Sequence, residues 1–286
     1  MRRARHIAIL GMAVSGLLAL MKIIAGWEGH SSSVVADGFE SAADVFASGL
    51  VLIGLILAAR PADENHPYGH GRVETLTGLL LGLFLFCAGV FISLHALFGR
   101  DDPEPPHAWA LIPLVISIFA KGGLVFVKFT HGRRIGSASL RADAANDGID
   151  MLSGAVALCA LSVTLWNPVD FARADHYGAF AVGLIVIVTA LRIVHEASLY
   201  LMDTMPDDAL MSQVREVAMS VRDVKGVEKC FARKTGLKYH VDLHLEVDPE
   251  ITVRESHDIG GKVRDRIREK LSWVADVLVH VEPWGG

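Results

Sequence analysis

The sequence predicts an α-helical membrane protein: a six-helix transmembrane bundle followed by a small cytoplasmic α+β domain. Three observations predict it. The 286 residues are 52% hydrophobic and only 21% charged, which is apolar for a soluble chain. Residues 1–203 divide into apolar segments of about 20 residues, the length that crosses a hydrocarbon core. Beyond Asp203 no segment could span, and the pattern changes to short amphipathic and alternating runs.

The span-length segments are Ile7–Gly26, Ser33–Ala59, Leu76–Leu97, Ala108–Val127, Leu140–Trp166 and Ala179–Val194. The second and fifth are interrupted by acids. Their connections alternate in charge. Arg2, Arg3 and Arg5 precede the first span, Arg60 and Arg72 flank the loop after the second, and Lys128, His131, Arg133, Arg134 and Arg141 follow the fourth. The intervening loops, around Glu28 and at Asp101, Asp102 and Glu104, are mild or acidic. The positive-inside rule then places both termini in the cytoplasm. No cleavable signal peptide is expected, because the run after the basic start is span-length and lacks an A-x-A-type site.

The tail, residues 204–286, reads as two helices and three strands in the order αββαβ. Asp207–Val221 and Thr252–Leu271 carry apolar residues at helical spacing. Lys238–Asp248 alternates, with Tyr239, Val241, Leu243, Leu245 and Val247 on one face and His240, Asp242, His244, Glu246 and Asp248 on the other. That period of two marks a half-buried strand. Val227–Lys234 and Asp276–Val281 complete a ferredoxin- or metallochaperone-like two-layer domain.

A net charge of −5 makes nucleic acid an unsuitable partner. Cys87, Cys159 and Cys230 form no CxxC pair, so neither a disulfide framework nor a thiolate zinc site is expected. Cys87 and Cys159, in apolar segments, are expected to be buried packing residues. The spans contain no HExxH and no identifiable nucleophile, which argues against an intramembrane enzyme. A protein that binds metal without moving it is the other alternative.

The residues that could carry chemistry are the acids in the spans, since ionisable groups in hydrocarbon are costly and mark ion paths or proton relays. Glu40 and Asp44 are four apart, as are Asn146 and Asp150. Each pair puts two oxygen donors one turn apart on one helix face, and two such helices would offer four ligands to a divalent cation. Asp37, Asp143 and Asp147 share those faces and read as path-lining, capping or structural groups. The alternative, that the acids only pair with Lys22, Lys121 or Arg192, leaves about three cations for about six acids. In the loop after the second span, Asp63, His66 and His70 offer one oxygen and two imidazoles, a set that suits zinc or a similar transition metal. In the tail, His240 and His244 share a strand face, His280 and Glu282 share another, and His257 lies on the second helix.

Over nearly its whole length the chain resembles the cation diffusion facilitators. The resemblance rests on Ala36-Asp37-Gly38-Phe39-Glu40-Ser41-Ala42-Ala43-Asp44, on His66-Pro67-Tyr68-Gly69-His70-Gly71-Arg72-Val73-Glu74, on Arg141-Ala142-Asp143 leading to Asp150, and on Val241–Val247 with Val279-His280-Val281-Glu282-Pro283. It implies a homodimer of six-helix protomers that exports a divalent metal ion in exchange for protons, an integral multi-pass protein of the bacterial inner (plasma) membrane. It implies a transport site at Glu40, Asp44, Asn146 and Asp150 and a loop site at Asp63, His66 and His70. It implies metal-sensing sites across dimerised tails at His244, His257, His280 and Glu282; some relatives have a further histidine where this chain has Glu228. No prosthetic group is expected, only the metal as substrate and regulator. Zinc-transporting relatives usually carry histidine where Glu40 or Asn146 stands here. An all-oxygen set is better matched to manganese or iron(II) than to zinc.

Overall fold

Charge inside and apolar side chains outside is the reverse of a soluble core, and this chain is built that way. In the computed structural model, which describes residues 2–99, 105–134, 138–236 and 238–285, Lys22, Asp37, Glu40, Lys121, Lys128, Asp147, Asp150 and Asp175 are buried. Leu17, Leu20, Phe91, Phe119 and Phe126 face outward. Apolar side chains turned outward suit a lipid solvent, in which only structures that satisfy their own backbone can span. The backbone is accordingly helical: α1 (Arg2–Glu28), α2 (Ser32–Ala58), α3 (Arg72–Phe98), a 3-10 turn (Ala108–Ala110) leading into α4 (Leu111–Arg134), α5 (Ala138–Trp166) and α6 (Ala174–Leu201). Among the described residues, five helices are long and apolar enough to cross a membrane: Ser32–Ala58, Arg72–Phe98, Ala108–His131, Ala144–Trp166 and Ala174–Leu201. The expected first span falls on α1, of which the side chains of residues 2–11 lie outside the description.

Cys87 and Cys159 correct the expectation of burial: both are exposed, on outward faces of α3 and α5. A thiol behaves as a small hydrophobe, and lipid accepts it as readily as a protein core does. Lys128 is a second correction. It is read from sequence as part of a basic loop, but α4 continues past it and its side chain is buried.

The chain divides into two compact units, Met1–Val51 with Leu80–Val194, and Leu52–Leu79 with His195–Gly286. In the first, two helix pairs touch backbone to backbone. A methyl group added at Gly38 of α2 would lie 2.9 Å from the Ile23 nitrogen of α1. One at Gly89 of α3 would lie 3.0 Å from the Gly183 carbonyl of α6, and the reverse contact is the same length. Small residues permit such approach between membrane helices. An apolar cluster of Val34, Ile92, Leu114, Leu161 and Val182 joins α2 to α6. Asp175, at the start of α6, accepts hydrogen bonds from Ser31 Oγ (2.8 Å), from Ser33 Oγ and from the Ser33 backbone N–H (3.3 Å). It thereby satisfies free donors in the first turn of α2.

In the second unit, the tail forms α7 (Asp208–Met219), β1 (Gly226–Thr235), β2 (Lys238–Val247), α8 (Val253–Lys270) and β3 (Val274–Pro283). The sheet order is β1-β2-β3, antiparallel between β1 and β2 and parallel between β2 and β3. The predicted alternation is realised: Val241, Leu243, Leu245 and Val247 are buried against Val214 and Val217 of α7 and Ile259, Val263 and Ile267 of α8. Thr252 and Glu255 close a reciprocal capping box at the start of α8. Both helices cover one face of the sheet, which leaves the even-numbered residues of β2 on the other.

Leu245 is fully buried in this cluster. Leu245→Ala should destabilise the tail by about 2–5 kcal/mol, read from chemical denaturation; a change within ~0.5 kcal/mol would contradict the packing described.

Candidate metal centre

Glu40 and Asp44 project from α2, and Asn146 and Asp150 from α5. All four line one cavity of about 20 Å³, together with Leu85, Ile149 and Val186, which is room for roughly one water-sized sphere. Ser153 on α5 donates to Glu40 Oε1 at 2.8 Å and ties the two helices together at the site. Among the described residues, Glu40 Oε2 and Asp44 Oδ2 are buried with no hydrogen-bond donor. Buried carboxylate oxygens left without donors are costly, and a cation among them removes the cost.

The remaining acids on these faces are ion-paired. Asp37 Oδ2 lies 2.8 Å from Lys22 Nζ, which also donates to Ser41 Oγ at 2.6 Å. Asp147 takes Lys121 on Oδ1 at 3.0 Å and Lys128 on Oδ2 at 2.5 Å. Lys121 Nζ also bonds Asp150. The pairing considered from sequence is therefore partly realised, for Asp37, Asp147 and Asp150. It involves Lys128 and not Arg192, which is exposed. The side chain of Asp143 lies outside the described residues.

The loop between α2 and α3 folds on Asp63, whose Oδ1 accepts the backbone N–H groups of Asn65 (3.0 Å) and His66 (2.7 Å). Asp63, His66 and His70 present ligand atoms all within 4.8 Å of one another. His70 Nδ1 lies 3.2 Å from the Pro61 carbonyl; with the proton on Nδ1, Nε2 is free to ligate, the usual arrangement behind a metal-binding imidazole. The His66 backbone N–H, and then its imidazole, hold the Asp63 carboxyl below the ordinary carboxylate range.

In the tail, the parallel register sets His244 opposite His280 and Glu246 opposite Glu282. His244 Nδ1 lies 2.5 Å from Glu282 Oε1, and His280 Nε2 lies 3.4 Å from the same oxygen. The three side chains present ligand atoms within 4.8 Å of one another. Glu228 first, and His244 second, hydrogen-bond Glu282 and lower its pKa, so Glu228 adds an oxygen beside the cluster. His257 is not gathered in: it is exposed on α8, in the helix layer, whereas His244 lies on the opposite face of the sheet.

The loop and tail also touch within this unit. Tyr68 meets the His240 ring edge-on at 5.8 Å and lies under the Arg233 guanidinium at 5.7 Å. Arg72 Nη2 pairs with Asp203 Oδ1 at 2.8 Å. Sequence spacing gives no sign of these contacts, nor of Ser153, Lys128 or Asp175, because each depends on which helix or strand lies alongside.

The family described as "Cation efflux transmembrane domain" matches residues 8–202, and that described as "Cation efflux protein, cytoplasmic domain" matches residues 206–284. The manganese efflux system protein MneP of Bacillus subtilis is 27% identical over 288 residues, covering 98% of this chain and 96% of that protein. An uncharacterised transporter of Methanocaldococcus jannaschii is 32% identical over 288 residues, covering 99% of each. The cation-efflux pump FieF of Serratia proteamaculans is 29% identical over 285 residues, covering 99% of this chain and 93% of that protein.

Burial first, and the Arg233 guanidinium second, hold the His240 imidazole below its ordinary value. The unfolded chain takes up this proton below about pH 6.5 while the folded chain resists it. Stability linked to His240 is therefore present above that pH and is lost as the pH falls below it. Melting curves from about pH 8 to about pH 5 should show a decline in Tm that His240→Gln reduces; an identical decline in the variant would refute the assignment.

Proposed function

The chain belongs to the cation efflux family, the cation diffusion facilitators, and from that premise we propose that it exports its divalent metal ion through the cavity between α2 and α5, in exchange for protons. It is a multi-pass membrane protein and a transporter of divalent cations. The observation that carries the site assignment is the pair of buried, donorless oxygens, Glu40 Oε2 and Asp44 Oδ2, in a cavity of ionic size with Asn146 and Asp150.

Three carboxylates and one amide give the ligand set a formal charge of −3. Metal and protons compete for the same oxygens, and that competition couples the two fluxes. Asn146 cannot titrate, so proton exchange falls to the acids. Access to the site alternates between the cytoplasm, where both termini and residues 204–286 lie, and the far side of a bacterial inner membrane. The carboxylate-and-amide set favours manganese or iron(II) over zinc, in keeping with the manganese efflux named for MneP. The protein works as a homodimer. Asp63, His66 and His70 form a second metal site in the loop, and His244, His280 and Glu282 form a sensing site in the tail, with His257 reaching such a site only through a second copy of the chain.

Asp44→Ala and Asp150→Ala should each abolish metal-driven proton flux in proteoliposomes, while both proteins insert and melt as the parent does; unchanged flux in either sinks the assignment. Asn146→His should shift preference toward zinc in a panel of Mn²⁺, Fe²⁺ and Zn²⁺, and an unaltered ranking would count against the proposed basis of selectivity. In a background carrying Asp44→Ala and His66→Ala, which silences the membrane and loop sites, Glu282→Gln should weaken metal binding to the tail by about tenfold or more, as read by isothermal titration. Unchanged affinity would remove Glu282 from the ligand set.

A further inference from the structure

A lysine already stands among the proposed ligands. Lys121 Nζ bonds Asp150 and lies 3.0 Å from Asp147 Oδ1, with its side chain 2% exposed. Asp147 precedes Asp150 by three residues, so the two carboxylates are neighbours on one face of α5. Lys128, seven residues after Lys121 on α4 and hence on the same face, lies 2.5 Å from the other oxygen of Asp147. One helix presents two ammonium groups and the next presents two carboxylates, interleaved in the order Lys128, Asp147, Lys121, Asp150.

Among the described residues, the charges around the cavity can be counted. Lys22 offsets Asp37, and Lys128 offsets Asp147. Glu40, Asp44 and Asp150 carry −3 and Asn146 carries nothing, so Lys121 brings the set to −2. That is the charge one divalent ion neutralises. Without the ammonium the same ion would leave a surplus negative charge in a low-dielectric interior, where such a surplus is expensive. A chain that carries a carboxylate at position 40 and an amide at position 146, with no histidine in the set, gains this correction from α4.

We propose that Lys121 is a tethered counter-cation of the transport site: it competes with the metal ion for Asp150, and when the ion takes that carboxylate the ammonium withdraws onto Asp147. Lysine suits this role because it is a compact point charge on a flexible four-carbon stem, and both acceptors are already within its reach. Its presence beside the ion weakens binding and so speeds release, which makes it a residue that tunes affinity and turnover in opposite senses. Asp147 is then a positioning residue, acting on the metal only through Lys121. The proposal rests on Glu40, Asp44, Asn146 and Asp150 being the ligands.

The test is Mn²⁺ binding to the detergent-purified full chain, by isothermal titration, in a background carrying His66→Ala and Glu282→Gln so that the membrane site alone titrates. Lys121→Gln should tighten binding by about tenfold or more. In proteoliposomes it should lower KM and kcat together, because the ion is held rather than released. Asp147→Asn confines the ammonium to Asp150 and should weaken binding by about tenfold. The double variant Lys121→Gln with Asp147→Asn should bind more tightly than Asp147→Asn alone, since the ammonium that Asp147 would have held off Asp150 is gone. Lys121→Met, uncharged and of similar length, replaces the glutamine variant if that protein does not fold. If loss of Lys121 and loss of Asp147 shift affinity in the same direction, or neither shifts it, the counter-cation role is overturned. Binding that survives Asp44→Ala overturns the ligand assignment beneath it, whereas loss of binding in Asp44→Ala without opposite shifts at Lys121 and Asp147 overturns the counter-cation alone.

Discussion

The bundle is governed by the cost of holding carboxylates away from water. Asp37, Glu40, Asp147, Asp150 and Asp175 are all buried, and each of them obliges something nearby to be positive or to donate a hydrogen bond. Asp37 fixes α2 against α1 through Lys22. Asp147 fixes α5 against α4 through two lysines. Asp175 fixes the start of α6 to the start of α2 through serine donors. Among the described residues, Glu40 and Asp44 leave buried carboxylate oxygens without donors beside a cavity that Asn146 and Asp150 also line. The arrangement of helices and the location of the site thus follow from one electrostatic demand.

The helices and the tail were legible in the sequence because their signals are local. Span-length apolar runs and the period-two alternation of Lys238–Asp248 report on hydrocarbon and on a half-buried sheet directly. The grouping of the four oxygen-bearing side chains of the proposed site was legible too, since spacing by four residues states which groups share a helix face. What surrounds them was not. Lys121 could be named as a possible partner, but its choice of Asp150 and Asp147 depends on α4 lying beside α5. Lys128 looked like a loop cation because a basic run in sequence does not reveal that the helix continues through it. The thiols of Cys87 and Cys159 misled for a different reason: in a membrane, apolar character does not distinguish the lipid face from the core.

The tail repeats the theme in water with a different device. Its histidine–carboxylate cluster is assembled across two parallel strands, so its geometry depends on pairing His244 with His280 and Glu246 with Glu282. A slip of one residue would turn one partner into the core, because side chains alternate faces. The packing of Leu243 and Leu245 beneath the sheet fixes that register. The same alternation explains why His257 stays apart: the helix layer that buries the leucines occupies the face the cluster does not use.

The glycine contacts have a mechanical meaning for the bundle. Where Gly89 meets Gly183, and where Gly38 meets α1, the main chains approach closely, with the side chains of Ile187, Ser93 and Ile23 packed against the glycines. Beside the cavity, Ser153 of α5 reaches Glu40 of α2 through side chains, and side chains can change rotamer. The helices thus meet in two ways: close main-chain approach at glycines along α3–α6 and α1–α2, and side chains that can reorient, beside the carboxylates, between α2 and α5.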